Sequence, residues 1–354
     1  MAGDAIEVPR RLAGADAAPI CIGGPDRTKL ATGDTHATRT TRTLSDRSPS
    51  AMAGISATPV ATAGPVDFGR QFIPEHLTPL AHTPIYGQLE PRHRLRYNQL
   101  QGLFFNEQIV FFETMIGTGL MQALLREGWP DELRARLEEF WRDELRHTAM
   151  FHDLNHRCAP RLYDAGHSYF IRVAPPWMAL LRWTTRHPRL FPLYLWLILL
   201  QEERSLYYSA QFLRCRDTLE PNFLAAHRAH LLDEAGHVRC DQELLSQWWP
   251  RTPPYIRSIN ARLLAWMVEE FFSAPKRGQL RVVDTLACEF PELRDVLPDL
   301  KGQMLALGDD GNYRLSIYSR RITPRSFAHF DEWPELRVLE RTMPGYRFSR
   351  ETAA

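Results

Sequence analysis

The sequence has no cysteine pattern that could pair or chelate. Cys21, Cys158, Cys215, Cys240 and Cys288 are five, an odd and scattered set with no Cys-x-x-Cys. This argues against a disulfide framework, a zinc ribbon or a thiol redox motif, and it suits a reducing, cytoplasmic compartment. An excess of one charge is also missing, since 43 Lys and Arg against 42 Asp and Glu leave a formal net charge of +1. Binders of nucleic acid or of anionic membranes carry a basic excess or stripe, so neither partner is expected. No apolar run reaches the ~20 residues that cross a bilayer. The most apolar stretch, residues 190–200, is interrupted by Pro192 and reads as a buried helix. There is no secretory leader pattern, no flavin or nicotinamide fingerprint and no convincing run of strand signals.

What remains is a chain of 354 residues, 44% of them apolar, enough to bury a substantial core. The first 65 residues are rich in Ala, Gly, Thr, Ser and Pro without apolar periodicity, and read as a disordered or peripheral segment. A true start near Met52 is the alternative. From Pro91 the chain reads as helical, with Pro and Gly as punctuation. Long helices are expected from Pro91 to about Glu127, from Asp131 to about Arg157, from Pro192 to about Arg216 and from Pro221 to about Trp249. A short helix is expected over Trp177 to Arg186. Further helices, Tyr255 to Phe272 and a weaker region from Gln279 to Leu307, are expected outside the bundle, and the tail from Asp309 is not readable.

Glu-x-x-His occurs three times, at Glu90, Glu144 and Glu234. A chain of this length shows on the order of one by chance, so a single copy means little. The first contains Pro91 and marks a helix start. The other two lie inside long helices, about ninety residues apart, and share a preceding Asp: Asp143-Glu-Leu-Arg-His147 and Asp233-Glu-Ala-Gly-His237. Residues three apart on a helix are neighbours, so each pair offers an oxygen and a nitrogen donor on one face. Ferritin-like four-helix bundles that hold two irons use this motif from two helices and one Glu from each of the others. The fold expected is therefore all-α, a ferritin-like four-helix bundle over residues 66–354 with additional peripheral helices.

Two more glutamates are required. On the first helix Glu107 and Glu113 are six apart, about 240° around the helix, and cannot both face one site. Glu113 shares its face with Asn106, Ile109, Val110, Gly117 and Leu120, where an unpaired carboxylate is costly, and burial favours it. On the third helix Glu202 and Glu203 close the apolar run, and only one can point inward. The residues alone leave that choice open.

At this point the chain resembles the p-aminobenzoate N-oxygenase type of diiron oxygenase. The resemblance rests on Asn106-Glu-x-x-x-x-x-Glu113, Asp143-Glu-x-x-His147, Glu203 and His230-x-x-x-Glu234-x-x-His237, and spans roughly Tyr97 to Arg239. It implies Glu113 as ligand, selects Glu203 over Glu202 by its spacing to His230, and adds His230 as a third imidazole. The metal set it implies is Glu113, Glu144, His147, Glu203, His230, Glu234 and His237, with no catalytic residue beyond these ligands. Such donors suit two iron ions, or manganese. A metal-bound His commonly donates its other N–H to a carboxylate. Cross pairs are expected, Asp143 with His237 and Asp233 with His147. His227, His152 and His156 read as packing or surface residues, and Tyr207 lies close enough in sequence to approach the metals.

The resemblance further implies dioxygen activation through a peroxo-bridged diferric species, N-oxygenation of an arylamine in specialised metabolism, a separate ferredoxin or reductase, and a homodimer. Gln108 stands where the p-aminobenzoate branch carries Arg, which points instead to a larger or neutral amine, free or carrier-tethered. C–H or C–O oxidation and a radical-generating subunit like that of ribonucleotide reductase are the alternatives.

Overall fold

Proline and acidic residues set where the long helices begin. In the computed structural model, which describes residues 64–347 apart from 165, α1 spans Pro91–Phe112 with Pro91 at its first position. There the missing N–H costs nothing and the fixed φ suits a helix. The helix runs on through a π-helical turn, Glu113–Gly117, into α2, Thr118–Leu124. α3, Asp131–Cys158, has Asp131 and Glu132 in its first turn and His156 and Arg157 in its last, which complements the helix dipole at both ends. Pro160 opens the short α4, Pro160–Tyr163, and Pro175 opens α5, Pro175–Thr185. α6, Leu193–Arg214, starts after Pro192. α7, Pro221–Trp248, is capped by Glu220, whose carboxylate accepts the N–H of Phe223 at 2.9 Å.

α6 packs along α7, α1 against α3, and α3 against α7. This is the all-α, ferritin-like bundle expected, and among the described residues the only extended pairings are the isolated bridges Gln71–Leu219 and Ser319–Gly345. No described helix is long and apolar enough to cross a membrane. Residues 193–200 of α6 are all buried. An apolar stretch without a polar stripe is what a helix covered on every side requires, and each Leu or Ile buried there contributes about 1.5–3 kcal/mol. The segment Gln71–Ile73 crosses α1 at Gly102, where a Cβ would come within 2.6 Å of Phe72 Cβ.

The apolar interior is divided into two main bodies. One gathers Ile116, Leu120, Phe140, residues 193–200, Val238 and Leu244; the other gathers Leu100, Leu103, Phe151, Leu154, Phe223 and Ala226. Between them, along α1, α3, α6 and α7, lies a layer of buried carboxylates and imidazoles. α8, Pro254–Met267, ends in a second π-helical turn, Val268–Phe272, and α9, Arg277–Glu289, and α10, Leu297–Ala306, replace the single weak helical region expected. The unreadable tail folds into α11, Gly311–Ile317, and α12, Pro324–Asp331. The expectation for residues 1–65 lies almost wholly outside the described residues.

Candidate metal centre

Glu113, Glu144, His147, Glu202, Glu234, His230 and His237 converge in the polar layer, all buried. Their donor atoms form two groups, Glu113 with His147 and His230, and Glu144 with Glu202, Glu234 and His237. Glu113 opens the π-helical turn; its Oε1 lies 3.4 Å from His230 Nε2 and 3.8 Å from His147 Nδ1. Its Oε2 accepts a hydrogen bond from Thr148 Oγ1 at 3.0 Å. Glu144 Oε1 lies 3.3 Å from His237 Nδ1 and 3.8 Å from His147 Nδ1. Glu234 Oε1 approaches His230 Nε2 at 2.7 Å, and its Oε2 lies 3.7 Å from His237 Nδ1. Glu144 and Glu234 thus face histidines of both groups.

The histidines are oriented from behind. His147 Nε2 donates to Asp233 Oδ2 at 3.0 Å and His237 Nε2 to Asp143 Oδ2 at 3.4 Å, the cross pairs anticipated above. These bonds place the proton on Nε2 and leave Nδ1 as a lone-pair donor into the cluster. Arg146 ties the two acids together, 2.9 Å from Asp143 Oδ1 and 2.7 Å from Asp233 Oδ2. Burial disfavours charge on Asp233, but the hydrogen bonds from His147 and Arg146 outweigh it and hold the carboxyl below its ordinary value. His230 differs: its Nδ1 meets Ser205 Oγ at 3.3 Å, and burial pushes its pKa well down.

Do these residues fit metal ions? Glu144 Oε1, both oxygens of Glu234, His147 Nδ1 and His237 Nδ1 are buried without a hydrogen-bond partner among the described residues. Leaving a buried polar atom unpaired costs about 1–3 kcal/mol, more when charged. Five such atoms on four residues of one cluster make sense as donors to cations. Burial, with the charges of Glu144 and Glu234, drives Glu113 well above the usual carboxylate range, so the layer without cations holds protons in their place. Mixed oxygen and imidazole donors without thiolate suit iron or manganese.

Glu203 corrects the expectation. It is absent from the cluster and turned toward α12, where Oε1 accepts the N–H of Arg325 at 2.7 Å and Oε2 accepts the N–H and hydroxyl of Ser326 at 2.8 and 2.9 Å. A carboxylate held by the first N–H groups of a helix satisfies donors that the helix itself cannot. Glu202 takes the inward place, its Oε2 3.9 Å from His237 Nδ1. Glu107, set aside in favour of Glu113, accepts hydrogen bonds from Tyr163 and from the N–H groups of Tyr169, Phe170 and Ile171 and latches that segment to α1. Asn106 bridges Asn155 and His227. Tyr207 faces Arg321 and Tyr208.

A cavity of about 60 Å³ opens beside Glu113, Glu202 and His230. Phe105, Ile109, Phe112 and Phe272 make its apolar wall, and Gln108, Gln201 and Arg204 its polar one. Arg204 was not anticipated. It donates to the Tyr318 hydroxyl at 3.1 Å, lies over the rings of Tyr208 and Tyr318, and has no carboxylate partner among the described residues. Its place on α6 next to Glu203 was readable, but its direction depends on which of Glu202 and Glu203 turns inward. Asp241, one turn past His237, is likewise buried with both oxygens unpaired, and burial pushes its pKa well up.

A ferritin-like bundle whose core carries paired Glu-x-x-His helices defines a class of metal-dependent proteins. Within it, residues 40–300, well over half of the chain, match the family model described as P-aminobenzoate N-oxygenase AurF, and the chain belongs to that family. The match begins inside the N-terminal segment and runs past α7. Among curated proteins, none matches the chain. The family is one of oxygenases, so the protein is an oxygenase acting on a small molecule with dioxygen.

Proposed function

We propose that the protein is a diiron N-oxygenase of arylamines. The unpaired inward atoms of Glu144, Glu234, His147 and His237 carry this reading, because they are the donors two metal ions would complete. Glu113, His147 and His230 would hold one ion, Glu202 and His237 the other, with Glu144 and Glu234 placed to reach both. Bound iron would supply the two electrons that activate dioxygen. The chain's own contribution is positional. Asp143 and Asp233 fix the imidazoles, Thr148 orients Glu113, and the phenylalanines of the cavity wall keep water from the reacting face.

Arg204 supports an acidic substrate. A guanidinium over two tyrosine rings and without a carboxylate partner among the described residues is suited to a carboxylate or similar anion, and it lines the same cavity as Glu113, Glu202 and His230. An arylamine held at its acidic end by Arg204 would extend beyond the cavity of about 60 Å³, with its nitrogen toward the donors. This replaces the neutral amine suggested by Gln108. The electron donor, a separate ferredoxin or reductase, and a homodimeric assembly belong to the same proposal.

The test is anaerobic loading with ferrous iron, addition of oxygen in the presence of paired acidic and neutral arylamines, and mass spectrometry of the products. Oxygen gain on the amino nitrogen, favouring the acidic member of each pair, is the expected result. Products oxidised at carbon would replace the N-oxygenase reading with C–H oxidation. Failure to bind more than a trace of metal would remove both.

A further inference from the structure

α7 has two faces with different work. His227, His230, Glu234 and His237 are buried on one side, and the opposite side is open to solvent, carrying Arg228 and Leu232 one turn apart and Arg239 two turns further on. Leu232 is 74% exposed, more than any other large apolar side chain among the described residues. Leu232 and Arg228 lie on an open groove of about 740 Å³ whose other wall, on the end of α6 and the segments beside it, includes Leu213, Arg216 and Arg70. Arg70 is paired with Asp67 and Arg216 lies 3.8 Å from Asp217. Arg228 and Arg239 have no ion-pair partner among the described residues. The solvent-facing positions of α7 from Leu224 to Arg239 hold no acid other than Asp233, which is engaged by His147 and Arg146.

We infer that this face of α7 is the docking surface for an acidic one-electron carrier protein that re-reduces the metal centre. The inference rests on the diiron reading above. An exposed leucine flanked by unpaired arginines combines an apolar contact with a charge that steers a partner of opposite sign. A helix with its side chains is about 10–12 Å across, so a carrier seated on Leu232 is one helix thickness from His230. Only the width of α7 then separates the surface of the carrier from His230. Two encounters complete the step: two reduced carriers each lose one electron, and two ferric ions each gain one to become ferrous, with no bond made or broken in the chain.

The experiment uses the full-length iron-loaded protein and an acidic plant-type [2Fe–2S] ferredoxin. Its affinity is read by calorimetry at low and high salt, and reduction of the ferric protein by photoreduced ferredoxin is followed anaerobically in a stopped-flow spectrometer. The wild type should lose affinity as salt rises. R228E, R239E and L232E should each weaken binding about tenfold or more and slow ferredoxin-driven reduction, while reduction by dithionite is unchanged. Affinity indifferent to salt and to all three substitutions overturns the inference. So does dissociation of an oligomer by L232E with ferredoxin binding intact, which would assign the face to a second copy. If the dithionite-reduced protein oxidises no amine, the function proposed above fails, while affinity and reduction rate still decide the docking surface.

Discussion

Glu202 and Glu203 are neighbours on α6, and about 100° of helix rotation separates their side chains. One faces the metal donors and the other grips the start of α12. Substituting each should therefore produce different losses. Glu202→Gln should lower metal affinity by about 10- to 100-fold, the range for groups that shape a metal site, with the fold retained. Glu203→Gln should keep its metal content but lose about 1–3 kcal/mol of stability, because buried N–H groups of α12 lose a charged acceptor. Metal analysis with urea unfolding checks both, and equal metal loss in the two variants would contradict the arrangement. Arg204→Gln should raise KM for acidic arylamines with little change in kcat, and leave neutral ones unaffected. What the sequence offered at this scale follows from locality. Glu144, His147, Glu234 and His237 were legible because the partners sit one turn apart on the same helix. The choice between Glu202 and Glu203 was not, because it depends on Arg325 and Ser326, more than a hundred residues away and in a tail without readable periodicity.

At the scale of elements, the π-helical turn Glu113–Gly117 was hidden inside what reads as one helix from Pro91 to Glu127. A π turn accommodates one extra residue, and such turns often occur at functional sites. Here it starts on Glu113 and ends on Gly117, whose position would set a Cβ 3.6 Å from Glu144 Oε2. Thr114 is exposed and can be removed at no packing cost. Deleting it should restore a regular helix, with α1 and α2 keeping their faces, and move Glu113 off the position that the π turn gives it. The expected outcome is near-normal helicity by circular dichroism with at least one metal site lost. Full metal occupancy in that variant would show that the turn has no part in placing Glu113. The boundaries of α3, α6 and α7, by contrast, were readable to within two residues or so, since Pro130, Pro160, Pro192 and Pro221 mark them directly.

For the whole molecule, the polar layer between two apolar bodies makes stability depend on what fills it. Glu113 has a folded pKa raised above its unfolded value by burial and by the neighbouring carboxylates. The sign follows: its contribution is fully present below the unfolded value and is lost as pH rises through the folded one. The metal-free protein should therefore become less stable as pH rises above the ordinary carboxylate range, whereas metal binding releases those protons and strengthens in the same direction. Thermal unfolding with iron and with a chelator should show a gap in Tm that widens with pH; a gap that is constant or narrows would argue that the layer is filled by something other than cations.

The grip of α12 on Glu203 has one more consequence. Two carboxylates stand side by side on α6, Glu202 among the donors of the cluster and Glu203 held away by three hydrogen bonds. Ser326→Pro, which removes both the hydroxyl and the N–H of that residue, would leave Glu203 held by the Arg325 N–H alone and freer to turn inward beside Glu202. On the proposed reading Glu203 would then be a reserve ligand, and which glutamate faces the cluster would be decided by a tail more than a hundred residues away.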